Sequence, residues 1–279
     1  MANAKGCFIE PDAELAELDD PNEKLQIQIS SGYKAIEHSG ALRGQNMIYD
    51  RLFDELSQQS IPYEDQCSAQ YYFDLVTTLR DLNGEYDRLI EVGVFMGGAS
   101  SIFAGLIKRF DFDLDLIDIN SHYLQFAYER IRRIYPEAAS RVRLFHGDLP
   151  SYVKQVLMEE NPASCIVHHD GAHDFTQVTK DLGSLSFVQE KLHAVISQDT
   201  HLRGTQHMNF VDMALYAVFG VDLSYAPIGA SYESWDGRTN PNEYQGNYFV
   251  PGAPEGMVVP MSANSFHYPH PDMELDHFL

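Results

Sequence analysis

The chain has 279 residues, of which 44% are hydrophobic and 22% charged, as is typical of a globular protein that folds in water. This length is enough for one large domain or for a domain with an appendage, and it does not favour disorder. Nineteen basic residues against 41 acidic ones give a net charge of −22, which disfavours DNA and RNA as partners.

No apolar run approaches the roughly 18 residues that a membrane span needs, so the sequence predicts no contact with membranes. The N-terminus lacks the apolar core of a signal peptide, and Cys7, Cys67 and Cys165 are too scattered for a disulfide framework. We therefore expect a cytoplasmic protein with reduced thiols. The run RIRR at 130–133 is interpreted as a solvated helix face and not as a nucleic-acid contact.

Residues 1–84 are polar, with apolar side chains at helical spacing in YDRLFDELSQQ and AQYYFDLVTTLRDL, and are predicted to form an N-terminal helical cap. Residues 85–279 are predicted to form the main domain, in which helices separate the strands RLIEVGV, DLDLIDIN, RVRLFHGD, CIVHHDG and HAVISQD. This alternation indicates an α/β fold with a doubly wound, mostly parallel sheet. Ligands of such sheets bind at the carboxyl ends of the strands.

After Val221 the chain is rich in Gly, Pro, Asn, Ser, Tyr and His, which predicts a loop or a hairpin with long loops. Two interpretations of its aromatic residues stay open: a wall for an amphipathic substrate, or packing that tethers the loop. The residues concerned are Tyr232, Trp235, Tyr244 and Tyr248. The final segment FHYPHPDMELDHFL is interpreted as a surface tail.

The first predicted strand leads into EVGVFMGGASS, which places Gly93, Gly97 and Gly98 between a strand and a helix. Glycines there let the backbone bend sharply and let a ligand lie close to it. Asp118 ends the second strand, where an acid of a doubly wound fold accepts hydrogen bonds from ribose hydroxyls, although capping of the next helix is an alternative. The spacing GxxxGG differs from GxGxxG, so a nicotinamide or flavin dinucleotide is only the second choice.

The pattern E-x-G-x-x-x-G, followed by an acid at the end of the second strand, resembles that of the class I S-adenosylmethionine-dependent methyltransferases. The resemblance implies that the backbone near Gly93 approaches the amino acid part of the cofactor, with Glu91 nearby. It also implies that Asp118 holds the ribose and that Asp148 lies near the adenine. The full set of implied cofactor-binding residues is Glu91, Gly93, Gly97, Ser100, Asp118 and Asp148.

The segments IVHHDGAHDF and AVISQDTHLRG look like those of metal-dependent small-molecule O-methyltransferases, especially the group that acts on sugar hydroxyls of macrolide-type natural products. The resemblance implies that Asp170 and Asp199 bind the metal, and that His173 is the general base beside Asp170. Thr200 stands where that pattern has Asp or Asn. The third ligand is therefore open between Thr200 and His201.

The predicted reaction is methyl transfer to a hydroxyl of a small molecule. A divalent cation lowers the pKa of a coordinated hydroxyl, and a histidine can then take the proton. Oxygen ligands favour Mg²⁺, whereas an imidazole ligand from His201 would favour a transition metal. Each residue also has a simpler interpretation, with Asp170 in an ordinary turn and His173 at a helix start.

Two rival functions follow from the same pattern. One is a hydroxylase-like or metal-independent member of the fold, suggested by the irregular pair Asp199–Thr200. The other is a non-catalytic cofactor-binding protein, which would have no need of Asp170, His173 and Asp199. The expected partner is a small-molecule acceptor, and assembly into a homo-oligomer is left open.

Overall fold

The computed structural model describes residues 6–160, 164–204, 209–231, 247–261, 265–266 and 273–279. The strands are β1 Cys7–Ile9, β2 Arg88–Val92, β3 Asp113–Asp118, β4 Val142–His146, β5 Cys165–His169, β6 Leu192–Gln198, β7 Leu202–Gly204, β8 Ala226–Ser231, β9 Asn247–Phe249 and β10 Pro254–Pro260. The α-helices are α1 Pro21–Leu25, α2 Met47–Leu56, α3 Ala69–Asp81, α4 Gly98–Phe110, α5 Ser121–Ile134, α6 Leu149–Tyr152, α7 Phe175–Ser184 and α8 Val211–Phe219.

Polar side chains fix the starts of several helices by accepting hydrogen bonds from backbone N–H groups that a helix leaves unpaired. Ser68 does this for α3, Asn120 for α5 and Asp174 for α7. Because Asn120 caps α5, the alternative role of Asp118 as a helix cap is not what the structure has. Asp118 is therefore available for another role at the end of β3.

The central sheet has eight strands in the order β1-β4-β3-β2-β5-β6-β10-β8. Neighbouring strands from β4 to β6 in this order run parallel. Successive side chains of each strand face opposite sides, so that Leu89 packs in a core with α2 to α5 and Ile90 in a second core with α7 and α8. The predicted doubly wound, mostly parallel α/β fold is confirmed.

Three strands of this sheet were not predicted individually. Strand β1 pairs antiparallel with β4, and β10 and β8 add an antiparallel hairpin beyond β6. The hairpin agrees with one of the two predictions for the segment after Val221. Helices α2 and α3 form within residues 1–84 and share a core with the sheet, and the boundary at residue 84 stays a prediction.

The run RIRR does not form the predicted solvated face. Arg130 is only 2% exposed, pairs with Asp65 at 3.4 Å and donates a hydrogen bond of 2.8 Å to the Met96 carbonyl. Arg132 and Arg133 both pair with Glu129.

The surface-tail interpretation of the final segment is also wrong for residues 273–279, because Leu275 and Phe278 are buried in the second core.

No helix within the described ranges is long and apolar enough to cross a membrane.

Candidate active site

A cavity of about 610 Å³ lies at the carboxyl ends of the parallel strands, where the strand order reverses between β2 and β5. Its position and volume are those expected of a ligand site in a doubly wound fold. Most of the predicted site residues line it: Glu91, Gly93, Asp118, Asp148, Asp170 and His173. Gly97, Ser100, Asp199, Thr200 and His201 lie outside its lining.

The three glycines of the turn after β2 make room for protein atoms. Gly93 has a φ of +81°, and a Cβ there would lie 2.3 Å from the Asp170 carbonyl oxygen. A Cβ on Gly97 would lie 2.9 Å from the Cα of Ala127, and one on Gly98 would lie 2.0 Å from the Tyr72 hydroxyl. The turn is thus glycine-rich because β5, α5 and α3 pack against it, a reason that the sequence does not disclose.

Asp118 is held at the cavity wall by backbone amides. Its carboxylate accepts hydrogen bonds from Val94 N at 3.0 Å and from Asn120 N at 2.8 Å. Burial raises the pKa of Asp118, and the amides of Val94 and Asn120 oppose that rise. Because these bonds join the ends of β2 and β3, they fix the orientation of a carboxylate that could accept from ribose hydroxyls.

Glu91 is a buried carboxylate beside the same cavity. It is 1% exposed, and its Oε2 has no hydrogen-bond partner in the part of the chain that the structure describes. Burial raises the pKa of Glu91 well above its ordinary value, while the neighbouring Ser100 opposes the rise. A buried oxygen without a partner destabilises the folded protein, so a ligand that donates a hydrogen bond or carries positive charge suits this position.

The charge of the cavity distinguishes between the two predicted cofactor classes. Among the described residues, seven acids line it and no lysine or arginine does: Glu64, Asp65, Glu91, Asp118, Asp148, Asp170 and Asp181. The negative pyrophosphate of a dinucleotide would be repelled there, whereas the sulfonium and ammonium groups of S-adenosylmethionine would be attracted. The residues present therefore suit S-adenosylmethionine.

Asp170, His173 and Asp199 form a compact cluster at the ends of β5 and β6. One potential ligand atom from each residue lies within 4.8 Å of the other two. Nε2 of His173 lies 3.0 Å from Oδ2 of Asp199 and 3.9 Å from Oδ1 of Asp170. Asp199 has a φ of +61°, a left-handed conformation that aspartate adopts more readily than most residues. Two carboxylates and an imidazole at this spacing suit a divalent cation.

The charges of this cluster are coupled. Burial disfavours the imidazolium of His173, but the carboxylates of Asp199 and Asp170 outweigh burial and raise the pKa of His173 to about 9. Burial raises the pKa of Asp170, and His173 opposes that rise. At neutral pH the proton on His173 thus compensates part of the negative charge of Asp170 and Asp199. A bound cation could take over this compensation.

Neither candidate for the third ligand belongs to this cluster. The Thr200 hydroxyl donates a hydrogen bond of 2.8 Å to the Pro254 carbonyl. The His201 ring is 2% exposed and stacks on Phe249, with ring centroids 4.1 Å apart. The structure therefore brings Asp170, His173 and Asp199 together and directs Thr200 and His201 towards the β9–β10 side.

One wall of the cavity was missed at the sequence level. Residues 64–67 and Tyr72 line it, and the Cys67 sulfur lies 3.9 Å from Oδ2 of Asp170. Glu64 and Asp65 are buried, and the Glu64 carboxylate accepts from the backbone amides of residues 30–32. The acidic run YEDQC between two predicted helices is the available signal, but its contact with β5 is not local in the chain.

The aromatic residues of the late loop are only partly described. Tyr232, Trp235 and Tyr244 lie outside the described residues. Tyr248 lies in β9 and pairs with Arg203 of β7. Its role as a substrate contact stays a prediction.

Comparison with solved structures places the fold in context. A putative O-methyltransferase from Klebsiella pneumoniae matches with a TM-score of 0.50 and 16% identity, over 82% of this chain and 96% of that one. An O-methyltransferase from Bacillus cereus in complex with SAH gives a TM-score of 0.49 and 12% identity, over 81% and 96% of the two chains. A putative caffeoyl-CoA O-methyltransferase from Staphylococcus aureus gives a TM-score of 0.47 and 14% identity, over 82% of this chain and 99% of that one.

No family model and no curated protein sequence matches the chain. At 16% identity, the likeness to the Klebsiella protein shows that the two chains share the Rossmann-like methyltransferase fold. A shared fold does not establish an activity, so the function must be argued from the site.

Proposed function

We propose that the chain is an S-adenosylmethionine-dependent O-methyltransferase that acts on a hydroxyl of a small molecule with the help of a divalent cation. The observation that carries the proposal is the cluster of Asp170, His173 and Asp199, which adjoins an acidic cavity at the strand ends. A protein that only binds a cofactor has no need of two carboxylates and an imidazole in this arrangement.

The residues divide into two groups. Glu91 and Asp118, at the ends of β2 and β3, would hold the cofactor, because a buried carboxylate and a fixed one face the cavity there. Asp170 and Asp199, at the ends of β5 and β6, would hold the cation. Bound there, the cation would lower the pKa of the acceptor hydroxyl and orient it.

His173 would remove the proton of the acceptor hydroxyl. A general base must be neutral, and the pKa of about 9 applies to the protein without a cation, where two carboxylates stabilise the imidazolium. A positive charge between those carboxylates would cancel that stabilisation and lower the pKa of His173 towards its ordinary range. Cation and base are thus coupled through Asp170 and Asp199.

Calorimetry with S-adenosylmethionine and with NAD⁺, each with and without Mg²⁺, tests the proposal most directly. We expect micromolar binding of S-adenosylmethionine, no measurable binding of NAD⁺, and release of protons when the cation binds. Micromolar NAD⁺ binding would reverse the choice of cofactor. Full methyltransferase activity in excess chelator would contradict the proposed role of the cation. The protein would then be a metal-independent enzyme of this fold.

A further inference from the structure

A second cavity lies at the opposite end of α4 from the candidate active site. It has a volume of about 430 Å³ and opens between α2, the last turns of α4 and the end of α5. We call it the α2–α4 cleft, and its lining is Ile48, Arg51, Leu52, Glu55, Ala104, Gly105, Lys108, Arg109, Ile134, Tyr135, Glu137 and Ala138. None of these residues lines the first cavity. Its volume is within the usual range of small-molecule sites.

The inner part of the cleft is apolar. Leu52, Ala104 and Ala138 are buried there. A Cβ on Gly105 would lie 2.3 Å from Cδ2 of Leu52 and 2.8 Å from the Tyr135 hydroxyl oxygen, so this glycine lets α2 and Tyr135 close the floor tightly. The floor can therefore contact the apolar body of a ligand.

One polar atom interrupts this floor. Tyr135 is 5% exposed, and its hydroxyl has no hydrogen-bond partner among the described residues. Burial raises the pKa of Tyr135, and the Glu55 carboxylate, which lies close to the hydroxyl but pairs with Arg51, adds to the rise, so the hydroxyl keeps its proton and remains a donor. A buried donor without an acceptor destabilises a protein, and an acceptor atom in the cleft would remove that penalty.

The rim of the cleft is cationic, in contrast to the first cavity. Arg51 pairs with Glu55 at 2.8 Å and Lys108 with Glu137 at 3.1 Å, whereas Arg109 forms no ion pair within the described part of the chain. Three cations face two carboxylates, in a protein whose net charge is −22. An anion is therefore attracted to this rim and repelled by most other surfaces of the molecule.

We propose that the α2–α4 cleft binds a small amphipathic anion. The apolar body of the ligand lies on Leu52 and Ala104, an acceptor oxygen takes the hydrogen bond of the Tyr135 hydroxyl, and a carboxylate or phosphate lies near Arg109. The proposal does not depend on the function of the first cavity. Because α4 begins at one cavity and ends at the other, a ligand in the cleft contacts the same helix as the glycine turn.

Calorimetry on the whole chain, with octyl phosphate as the probe, tests this site. We expect a dissociation constant below about 1 mM, with octanol and inorganic phosphate each binding at least about tenfold more weakly because each lacks half of the recognised chemistry. Octanoate distinguishes a carboxylate from a phosphate preference. Failure of both octyl phosphate and octanoate to bind at millimolar concentration would overturn the proposal.

Two variants and one control separate a binding site from a packing defect. Tyr135→Phe should weaken the binding of octyl phosphate by about tenfold. The unfolding temperature should stay equal or rise, since an unpaired buried hydroxyl is removed. Arg109→Glu should weaken the binding of octyl phosphate at least tenfold, and the loss of affinity should be greatest at low salt. Arg80→Glu, which also changes an arginine in the last turn of a helix but lies outside the cleft, should have no effect. Unchanged binding in both Tyr135→Phe and Arg109→Glu would overturn the proposal.

Discussion

Two buried acids on neighbouring strands, Glu91 of β2 and Asp115 of β3, have opposite surroundings. Glu91 is 1% exposed and Asp115 is fully buried. Asp115 is neutralised by Arg143, which lies 2.6 Å away, and it also accepts a hydrogen bond from the Tyr152 hydroxyl. Glu91 has no arginine or lysine partner within the described residues, and one of its oxygens has no hydrogen bond.

The network around Asp115 is balanced in charge. Arg88 and Arg143 share Asp115 and Glu160, so two cations face two anions. Such a network is costly to break, because each charge already has an opposite charge beside it, although Nε of Arg88 has no hydrogen bond among the described residues. The acids at the carboxyl ends of the strands face a cavity instead, and His173 is the ion-pair partner that the structure describes for Asp170.

This difference shows how burial of charge can be interpreted. Burial alone does not separate a structural acid from a functional one, since Asp115 is as deeply buried as Glu91. The informative feature is whether the protein supplies the compensating cation. Where it does not, the buried charge is poorly compensated, and a cationic cofactor or metal ion can supply the positive charge.

The largest effect is expected at the cation cluster. Asp170→Asn should abolish cation-dependent turnover and leave the affinity for S-adenosylmethionine within about threefold, because the proposed cofactor contacts lie mainly at the ends of β2 and β3. Methyl-transfer assays and calorimetry measure the two effects separately. Asp174→Asn is a matched control, since Asp174 caps α7 and asparagine caps helices equally well. Parallel loss of cation and cofactor affinity would contradict the division of the site.

His173→Ala should retain both the cation and the cofactor but lower turnover by roughly 10²- to 10⁴-fold, the usual contribution of a positioned general base. Partial recovery is expected at high pH, where the acceptor hydroxyl loses its proton more readily. His193→Ala, on β6 but outside the cluster, is the control. An equal loss in cation affinity would instead make His173 a ligand.

The same histidine predicts a pH dependence of stability in chelator. The pKa of His173 is raised from 6.5 to about 9 on folding. The stability that its charge contributes is therefore complete below pH 6.5 and is lost as the pH rises through about 9. Urea unfolding at several pH values should show this loss in the wild-type protein, and His173→Ala should lack it.

Breaking the balanced network tests the other side of the comparison. Arg143→Met leaves the buried Asp115 carboxylate poorly compensated and should lower the free energy of unfolding by about 3 kcal/mol. Arg141→Met removes an ion pair with Asp111 and Asp113, whose side chains are 90% and 49% exposed, and should cost at most about 1 kcal/mol. Urea unfolding of both variants gives the contrast, and equal losses would mean that burial does not determine the effect.

The sequence predicted those parts of the candidate site that depend on strand ends. Asp118, Asp170 and Asp199 each follow an apolar run, and parallel strands bring such positions to one edge of the sheet. The wall from Glu64 to Cys67 could not be predicted in this way, since it reaches the site through contacts between distant segments. The packing role of Gly93 and the separation of His201 from the cluster likewise depend on tertiary contacts with Asp170 and Phe249.

Asp118→Ala should weaken the binding of S-adenosylmethionine by about 1.5 to 3 kcal/mol, the loss expected when hydrogen bonds to a charged acceptor are removed. Calorimetry measures this affinity directly. The backbone amides of Val94 and Asn120 also lose their acceptor in this variant, so unfolding experiments must show that the turn is intact. Unchanged affinity in a folded variant would remove Asp118 from the cofactor site.

The smallest effect has the opposite sign and compares the two acids directly. Glu91→Gln removes a buried charge that lacks a cationic partner, so the free energy of unfolding of the ligand-free protein should rise by about 1 kcal/mol. The gain is limited because burial raises the pKa of Glu91 well above its ordinary value, so the charged form is already disfavoured in the folded protein. Asp115→Asn is the matched variant and should lower the same quantity, because Arg88 and Arg143 then share the single carboxylate of Glu160. If Glu91 contributes to cofactor binding, Glu91→Gln should also reduce the affinity for S-adenosylmethionine. Destabilisation by both substitutions would mean that Glu91 is a structural acid after all.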